Sequence, residues 1–398
     1  MENLEISNRG KNMPASPIRK LAPLAVAAKK RGIKVYHLNI GQPDLPTPPE
    51  IIESVKNFPE KTLAYAPSEG IDKAVSAWQR YYGNKGVILS KEDIIVTSGG
   101  SEAIIFAMMA ITDPGDEIIV LEPFYTNYEG FAAMSGINLV PVTLSAENGF
   151  HIASKEQIEK KITDKTRGII ICNPNNPTGT LFSENETAMI VDIAKKFGLF
   201  ILSDETYQEI VFDEKTVTKF SDYPGIEQNL IILDSISKRF NSCGARVGCL
   251  ASKNTEIIAS VLKMGQARLS VATVEQLAAI PLLENSKDYT DQIRIIYEKR
   301  RNAVCEGLNK IDGVQFLKPE GAFYLIARLP IEDAEKFATY LLTEFNDNNE
   351  TVMVAPAAGF YKTEGLGKNE IRIAYVLEEK ALTRAMKLLG IALKNYKE

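Results

Sequence analysis

At 398 residues the chain exceeds the size at which a single apolar core usually stops growing, so two domains are expected. An apolar fraction of 45%, a charged fraction of 24% and a net charge of -5 fit an ordinary globular protein and give no basic footprint for nucleic acid. Four cysteines without C-x-x-C spacing and only two histidines, His37 and His151, argue against a disulfide scaffold, a metal site and a serine–histidine pair.

The opening residues Met1 to Glu5 are acidic and polar where a signal peptide needs a basic and then an apolar segment, and no apolar run reaches bilayer length. A cytoplasmic location is therefore expected. Arg9, Lys11, Arg19, Lys20, Lys29, Lys30 and Arg31 read as the polar decoration of an early helix, and the Pro-rich stretch Gln42 to Pro49 as a linker. From about residue 93 the pattern becomes strand, loop and helix in repetition, which is α/β grammar. Strands are predicted at Ile94 to Thr97, Glu117 to Leu121, Asn138 to Val142, Gly168 to Cys172, Leu199 to Ser203, Leu230 to Leu233 and Val247 to Leu250. Several are nearly all apolar, as strands buried on both faces are. Helices are predicted at Ser101 to Ile111 and Ala188 to Lys196. After about residue 285 a long charged helix, Tyr289 to Leu308, leads into hairpin-like pieces at Val314 to Leu317 and Ala322 to Ala327 and a terminal helix, which reads as a second, smaller domain.

Three strand ends carry chemistry. Ser98-Gly99-Gly100-Ser101-Glu102-Ala103 joins a strand to a helix, where free amides and the helix dipole favour an anion; a plain turn with a serine cap explains the same residues. Asn173-Pro174-Asn175-Asn176-Pro177-Thr178-Gly179 is a rigid turn that presents amide side chains. Asp204, in Ser203-Asp204-Glu205-Thr206-Tyr207, is either a helix cap or a buried anion awaiting a cation. Lys238 follows the apolar run Leu230 to Leu233 within Asp234-Ser235-Ile236-Ser237-Lys238, with Arg246 eight residues on. A desolvated lysine near another cation loses its proton more easily and can attack a carbonyl, although a lysine taken singly is a surface charge.

In this order, with Phe124-Tyr125 between the first two, the motifs resemble the fold-type I pyridoxal-phosphate enzymes, and among them the class I aminotransferases related to aspartate aminotransferase. The resemblance runs from about Leu38 to Arg372. It implies a large domain at residues 46–285 with a mostly parallel seven-stranded sheet covered by helices on both faces. A smaller α+β domain would be formed by residues 1–45 and 286–398. It implies pyridoxal 5'-phosphate as cofactor, with Lys238 bonded to its aldehyde and later carrying the proton between substrate and cofactor. Asp204 would keep the pyridine nitrogen protonated, Asn176 and Tyr207 would hydrogen-bond the ring hydroxyl oxygen, and Tyr125 would stack on the ring. Gly100, Ser101, Ser235 and Arg246 would hold the phosphate, with Tyr65 reaching across from the other subunit of a homodimer. Arg372 would grip the substrate α-carboxylate, helped by the backbone of Gly41 and by Asn176, which also belongs to the substrate site.

The expected reaction is transfer of an amino group between an amino acid and a 2-oxo acid, aspartate with 2-oxoglutarate first. Alanine or aromatic substrates, a lyase on the same fold, and a regulatory module borrowing it are the alternatives, the last disfavoured because no DNA-binding domain precedes the match. A dicarboxylate wants a second cation facing Arg372, and Arg268 lies in a plausible region. Some bacterial relatives carry Lys beside the phosphate-loop glycines where this chain has Ser101, and Pro356-Ala357-Ala358-Gly359-Phe360-Tyr361 departs from the commoner Pro-Gly-x-x-Phe-Gly form.

Overall fold

The computed structural model describes residues 4–58, 61–285 and 287–397. The first three residues and the expected domain boundary at 286 lie outside the described residues. Strand β1 (Lys34–His37) precedes a seven-stranded sheet built from β2 (Ile94–Thr97), β3 (Glu117–Glu122), β4 (Asn138–Thr143), β5 (Thr166–Cys172), β6 (Phe200–Asp204), β7 (Leu230–Ser235) and β8 (Gly248–Ala251). Their spatial order is β2-β8-β7-β6-β5-β3-β4. All seven coincide with the apolar runs read from sequence. Neighbours from β4 to β7 pair in parallel, whereas β8 runs antiparallel to both β7 and β2.

Alternation along these strands divides the core in two. Ile169, Ile171, Ile201 and Ile232 join Trp78 and Leu282 on one face, while Ile170, Leu202, Ile231 and Leu233 join Ile104 and Met108 on the other. Successive side chains point to opposite faces, so a strand apolar at every position needs cover on both. Helices Asp72–Gly83 and Thr273–Glu284 contribute to one cover and Gly99–Ile111 to the other.

A further apolar cluster gathers the chain's two ends. It joins β1 to β10 (Tyr324–Arg328), β11 (Glu350–Met353) and β13 (Glu370–Ala374), with helices Lys287–Leu308, Ala334–Thr343 and Glu379–Asn395. Lys34 to His37 pair in parallel with Glu350 to Met353, and β9 (Gln315–Phe316), β10, β13 and β12 (Ala355–Pro356) form a small antiparallel sheet. The Pro-rich stretch between residues 42 and 49 is held at both ends, by Asp44 with Arg300 (2.7 Å) and by Thr47 Oγ1 donating to the Asn241 carbonyl (2.6 Å). Among the described residues no helix is long and apolar enough to cross a membrane.

Candidate active site

The order of the large sheet reverses between β3 and β5, and the carboxyl ends of its parallel strands open there onto a crevice, as such switch points do. A cavity of about 520 Å³ occupies it. Gly41, Gly100, Ser101, Tyr125, Asp204, Tyr207, Ser235, Lys238, Arg246 and Arg372 all line it.

Lys238 sits on the short helix Ile236–Arg239 that follows β7 directly. Ser235 starts that helix by accepting the Ser237 amide on Oγ (3.1 Å). Lys238 Nζ donates to the Gly41 carbonyl (2.9 Å) and lies 3.6 Å from Cys243 Sγ. The next residue, Arg239, is anchored behind the site by the Tyr81 hydroxyl and the Asp234 carboxylate, which also accepts the Tyr82 hydroxyl at 2.9 Å. Burial pulls the Arg239 guanidinium down to about 9 and pushes the Asp234 carboxyl up, so both partners of this contact are desolvated.

Asp204 ends β6 and is only 6% exposed. Its carboxylate accepts the Tyr128 hydroxyl (2.6 Å) and the Thr206 amide (3.2 Å) but pairs with no basic side chain among the described residues. Burial therefore holds its carboxyl above the usual range. Arg372, on β13, is its converse: a guanidinium 2% exposed with no carboxylate partner among the described residues. Nη2 donates to the Asn39 carbonyl (2.6 Å), Nη1 to Asn176 Oδ1 (3.2 Å), and Nε has no partner. The guanidinium lies over the rings of Tyr324 (4.5 Å) and Phe360 (4.8 Å), and burial lowers its pKa. Asn176 Nδ2 lies 3.5 Å from the Tyr207 hydroxyl, which is 3.0 Å from that of Tyr324. The rigid amide turn thus links Arg372 to the two tyrosines.

Helix Gly99–Ile111 begins at the end of β2, with Gly99 at φ +74°. A Cβ there would come within 2.5 Å of Arg246 Nη2, so the absence of a side chain is what lets the guanidinium lie on the helix start. Gly100, Ser101, Ser235 and Arg246 share that wall of the cavity. Amides at a helix start, hydroxyls and a guanidinium together suit a dianion.

Two sequence candidates stand elsewhere. Arg268 does not line the cavity: its Nε faces Glu102 at 3.2 Å and its Nη2 donates to the Val96 carbonyl, so it ties helix Gly99–Ile111 to β2. Tyr65 is 81% exposed and outside the cavity of its own chain. Other residues of the site were not singled out in the sequence. Tyr128 is the hydroxyl donor to Asp204, and its place three residues beyond Tyr125 was the available signal. Tyr324 lay inside a predicted strand, and Cys243 had nothing in its local sequence to mark it. Arg19, read as helix decoration, instead lies in the turn before helix Ala22–Lys30 and lines the cavity.

A family model described as aminotransferase class I and II matches residues 33–389. A probable aspartate/prephenate aminotransferase of Aquifex aeolicus is 30% identical over 397 residues, covering 98% of this chain and 99% of the relative. An aspartate aminotransferase of Thermotoga maritima is 31% identical over 393 residues, covering 96% and 97%. Among solved structures, an aspartate aminotransferase of Thermotoga maritima superposes with a TM-score of 0.89 at 29% identity, and an alanine aminotransferase of Pyrococcus furiosus with 0.90 at 28%, each covering 98% of this chain and 100% of the other. With nearly its whole length matched and its fold shared, the chain belongs to the class I and II aminotransferases and is an aminotransferase.

Proposed function

We propose that this aminotransferase uses pyridoxal 5'-phosphate to move an amino group between aspartate and 2-oxoglutarate, as a cytoplasmic homodimer whose two active sites are shared. The observation that carries the cofactor reading is the pair of uncompensated buried charges, Asp204 and Arg372, facing the cavity that Lys238 enters. A buried carboxylate without a cation is costly unless a ligand supplies one, and a buried guanidinium without an anion likewise. A protonated pyridine nitrogen meets the first need and a substrate α-carboxylate the second.

Bound there, the cofactor supplies the electron sink that makes the substrate α-hydrogen acidic. The residues do the rest. Asp204, oriented by Tyr128 and the Thr206 amide, holds a proton on the ring nitrogen. Gly100, Ser101, Ser235 and Arg246 hold the phosphate, with Tyr65 of the other subunit completing that wall. Asn176 and Tyr207 hydrogen-bond the ring hydroxyl oxygen, and Tyr125 covers a ring face. Arg372, its Nε still without a partner, takes the α-carboxylate in a two-toothed grip beside the Gly41 backbone. Lys238, once its amine is displaced, carries the proton from the α-carbon. Residues 46–285 form the cofactor domain in this reading, and residues 1–45 with 286–398 the smaller one.

Aspartate is favoured by the names of the relatives; the alanine aminotransferase of Pyrococcus furiosus, with its equally close fold, supports alanine as the second reading. The test is a single-turnover screen in which each amino acid is mixed with yellow holoenzyme and loss of the visible band is followed. Fast bleaching by aspartate and glutamate is expected. Bleaching by alanine or aromatic amino acids alone would transfer the reading to those substrates, and release of ammonia without bleaching would point to a lyase.

A further inference from the structure

The cavity is lined by four cations, Arg19, Lys238, Arg246 and Arg372, against one carboxylate, Asp204. In the function proposed above, on which this step rests, Arg246 meets the phosphate, Arg372 the α-carboxylate and Lys238 the aldehyde. Arg19 is left over. It pairs with no carboxylate among the described residues, although its neighbour Lys20 is engaged by Glu335. It is exposed to solvent and lines the same cavity as Arg372.

Its position relative to Arg372 is built in twice. Asn39 Nδ2 donates to the Ile18 carbonyl (3.4 Å), and the Asn39 carbonyl accepts Arg372 Nη2 (2.6 Å), so one residue grips the backbone next to Arg19 and the α-carboxylate arginine together. On the other side, a Cβ on Gly359 would fall 2.4 Å from Pro17 Cβ; the turn before Arg19 therefore seats on the segment Ala357–Phe360, whose Phe360 ring underlies Arg372. The Arg19 backbone itself is pinned by its amide to the Ser16 carbonyl (3.2 Å) and by the Ala22 amide to its own carbonyl (3.0 Å). Within the Pro356 to Tyr361 loop, Gly359 is the position that lets the turn come close.

We propose that Arg19 binds the distal carboxylate of dicarboxylic substrates, taking the role for which Arg268 is unavailable and Ser101 has no charge. Two charged groups held at a fixed separation select aspartate and glutamate over alanine, because only a dicarboxylate satisfies both. The experiment compares wild type, Arg19→Gln and Arg19→Lys holoenzymes with aspartate, glutamate and alanine, and measures succinate and propionate binding by calorimetry. Arg19→Gln is expected to lower kcat/KM for aspartate and glutamate about 10- to 100-fold and alanine by less than about threefold, the scale of one charge-assisted hydrogen-bonded contact. Succinate should weaken in parallel while propionate does not, and Arg19→Lys should fall between, keeping the charge without the fork. Arg19 is exposed, so folding should be unaffected. If wild type turns over aspartate but Arg19→Gln slows aspartate and alanine alike, or neither, the role of Arg19 is overturned and the aspartate reading stands. If wild type turns over no dicarboxylate and binds succinate no better than propionate, both fall.

Discussion

Lys238 is held by contacts that a lone surface lysine lacks: its amine reaches the Gly41 carbonyl at 2.9 Å, and the residue after it is locked to Asp234 in the interior. The lock fixes the short helix so that the amine has one place to be, which is what proton transfer at a defined carbon requires. Lys238→Ala should therefore lower the rate of transamination by about 10²- to 10⁴-fold, the usual worth of a positioned acid–base group, while cofactor still binds. Single-turnover kinetics and cofactor titration check this; in wild type, borohydride should add the cofactor's mass to the peptide bearing Lys238 and in the variant to none. Lys238, Asp204 and Asn176 were legible in the sequence because each follows an apolar run at a strand end, so order along the chain maps onto one edge of the sheet. Tyr324 was not legible. Its contacts with Tyr207 and Arg372 join residues 117 and 48 positions away, and no local pattern signals a partner at that range.

At the level of elements, the seven strands of the large sheet were readable because burial on both faces leaves a continuous apolar run, whereas strand direction leaves no such mark. The antiparallel course of β8 emerges only from its pairing with β7 and β2. Glycines show a similar division. A Cβ on Gly41 would lie 1.8 Å from the Tyr324 hydroxyl, while one on Gly130, in helix Asn127–Ser135, would meet nothing within 4 Å. Gly41→Ala should cost about 1–3 kcal/mol and lower kcat/KM by displacing the Lys238 acceptor, and Gly130→Ala should stabilise the fold by about 0.5–1 kcal/mol through helix propensity. Denaturant titration and steady-state kinetics separate the two. The loop after β6 carries a pH dependence. Glu205 is 2% exposed, and burial pushes its carboxyl up to about 7, against the Ser203 hydroxyl and the nearby Lys85 and Lys219, which act in the opposite direction. Between the ordinary glutamate value of 4.5 and about 7, the folded protein keeps a proton that the unfolded chain has lost. Stability from this group is thus fully present below the lower value and lost as pH rises through the upper one, a change of about 3 kcal/mol. Glu205→Gln cannot ionise, so its stability relative to wild type should climb between pH 5 and about pH 8. A difference that stays flat over that interval would show that the carboxyl titrates normally.

For the molecule as a whole, the two ends of the chain meet in one apolar cluster and deliver Arg372 and the Gly41 segment to a cavity whose other walls come from the large sheet. The sequence pointed to a style change near residue 285, but that residues 1–45 join the later part came from the family resemblance, since parallel pairing of β1 with β11 links positions more than 300 residues apart. Two residues of the expected site do not line this cavity: Asn176 is buried behind Arg372 and Tyr207, and Tyr65 lies on the surface. Tyr65 stands 81% exposed beside exposed Leu63 and outside the cavity of its own chain, and the proposed homodimer would bring it to the wall at Gly100 and Arg246 from the other subunit. A shared site makes a specific claim about mixed dimers. In a dimer of one Lys238→Ala chain and one Tyr65→Ala chain, the intact Lys238 of one faces the intact Tyr65 of the other, while the second site lacks both. Random assembly gives half mixed dimers with one working site each, so co-refolded chains should recover about a quarter of wild-type activity above the sum of the separate variants. Activity that stays at that sum, with mixed dimers verified by mass spectrometry, would place Tyr65 outside the active site.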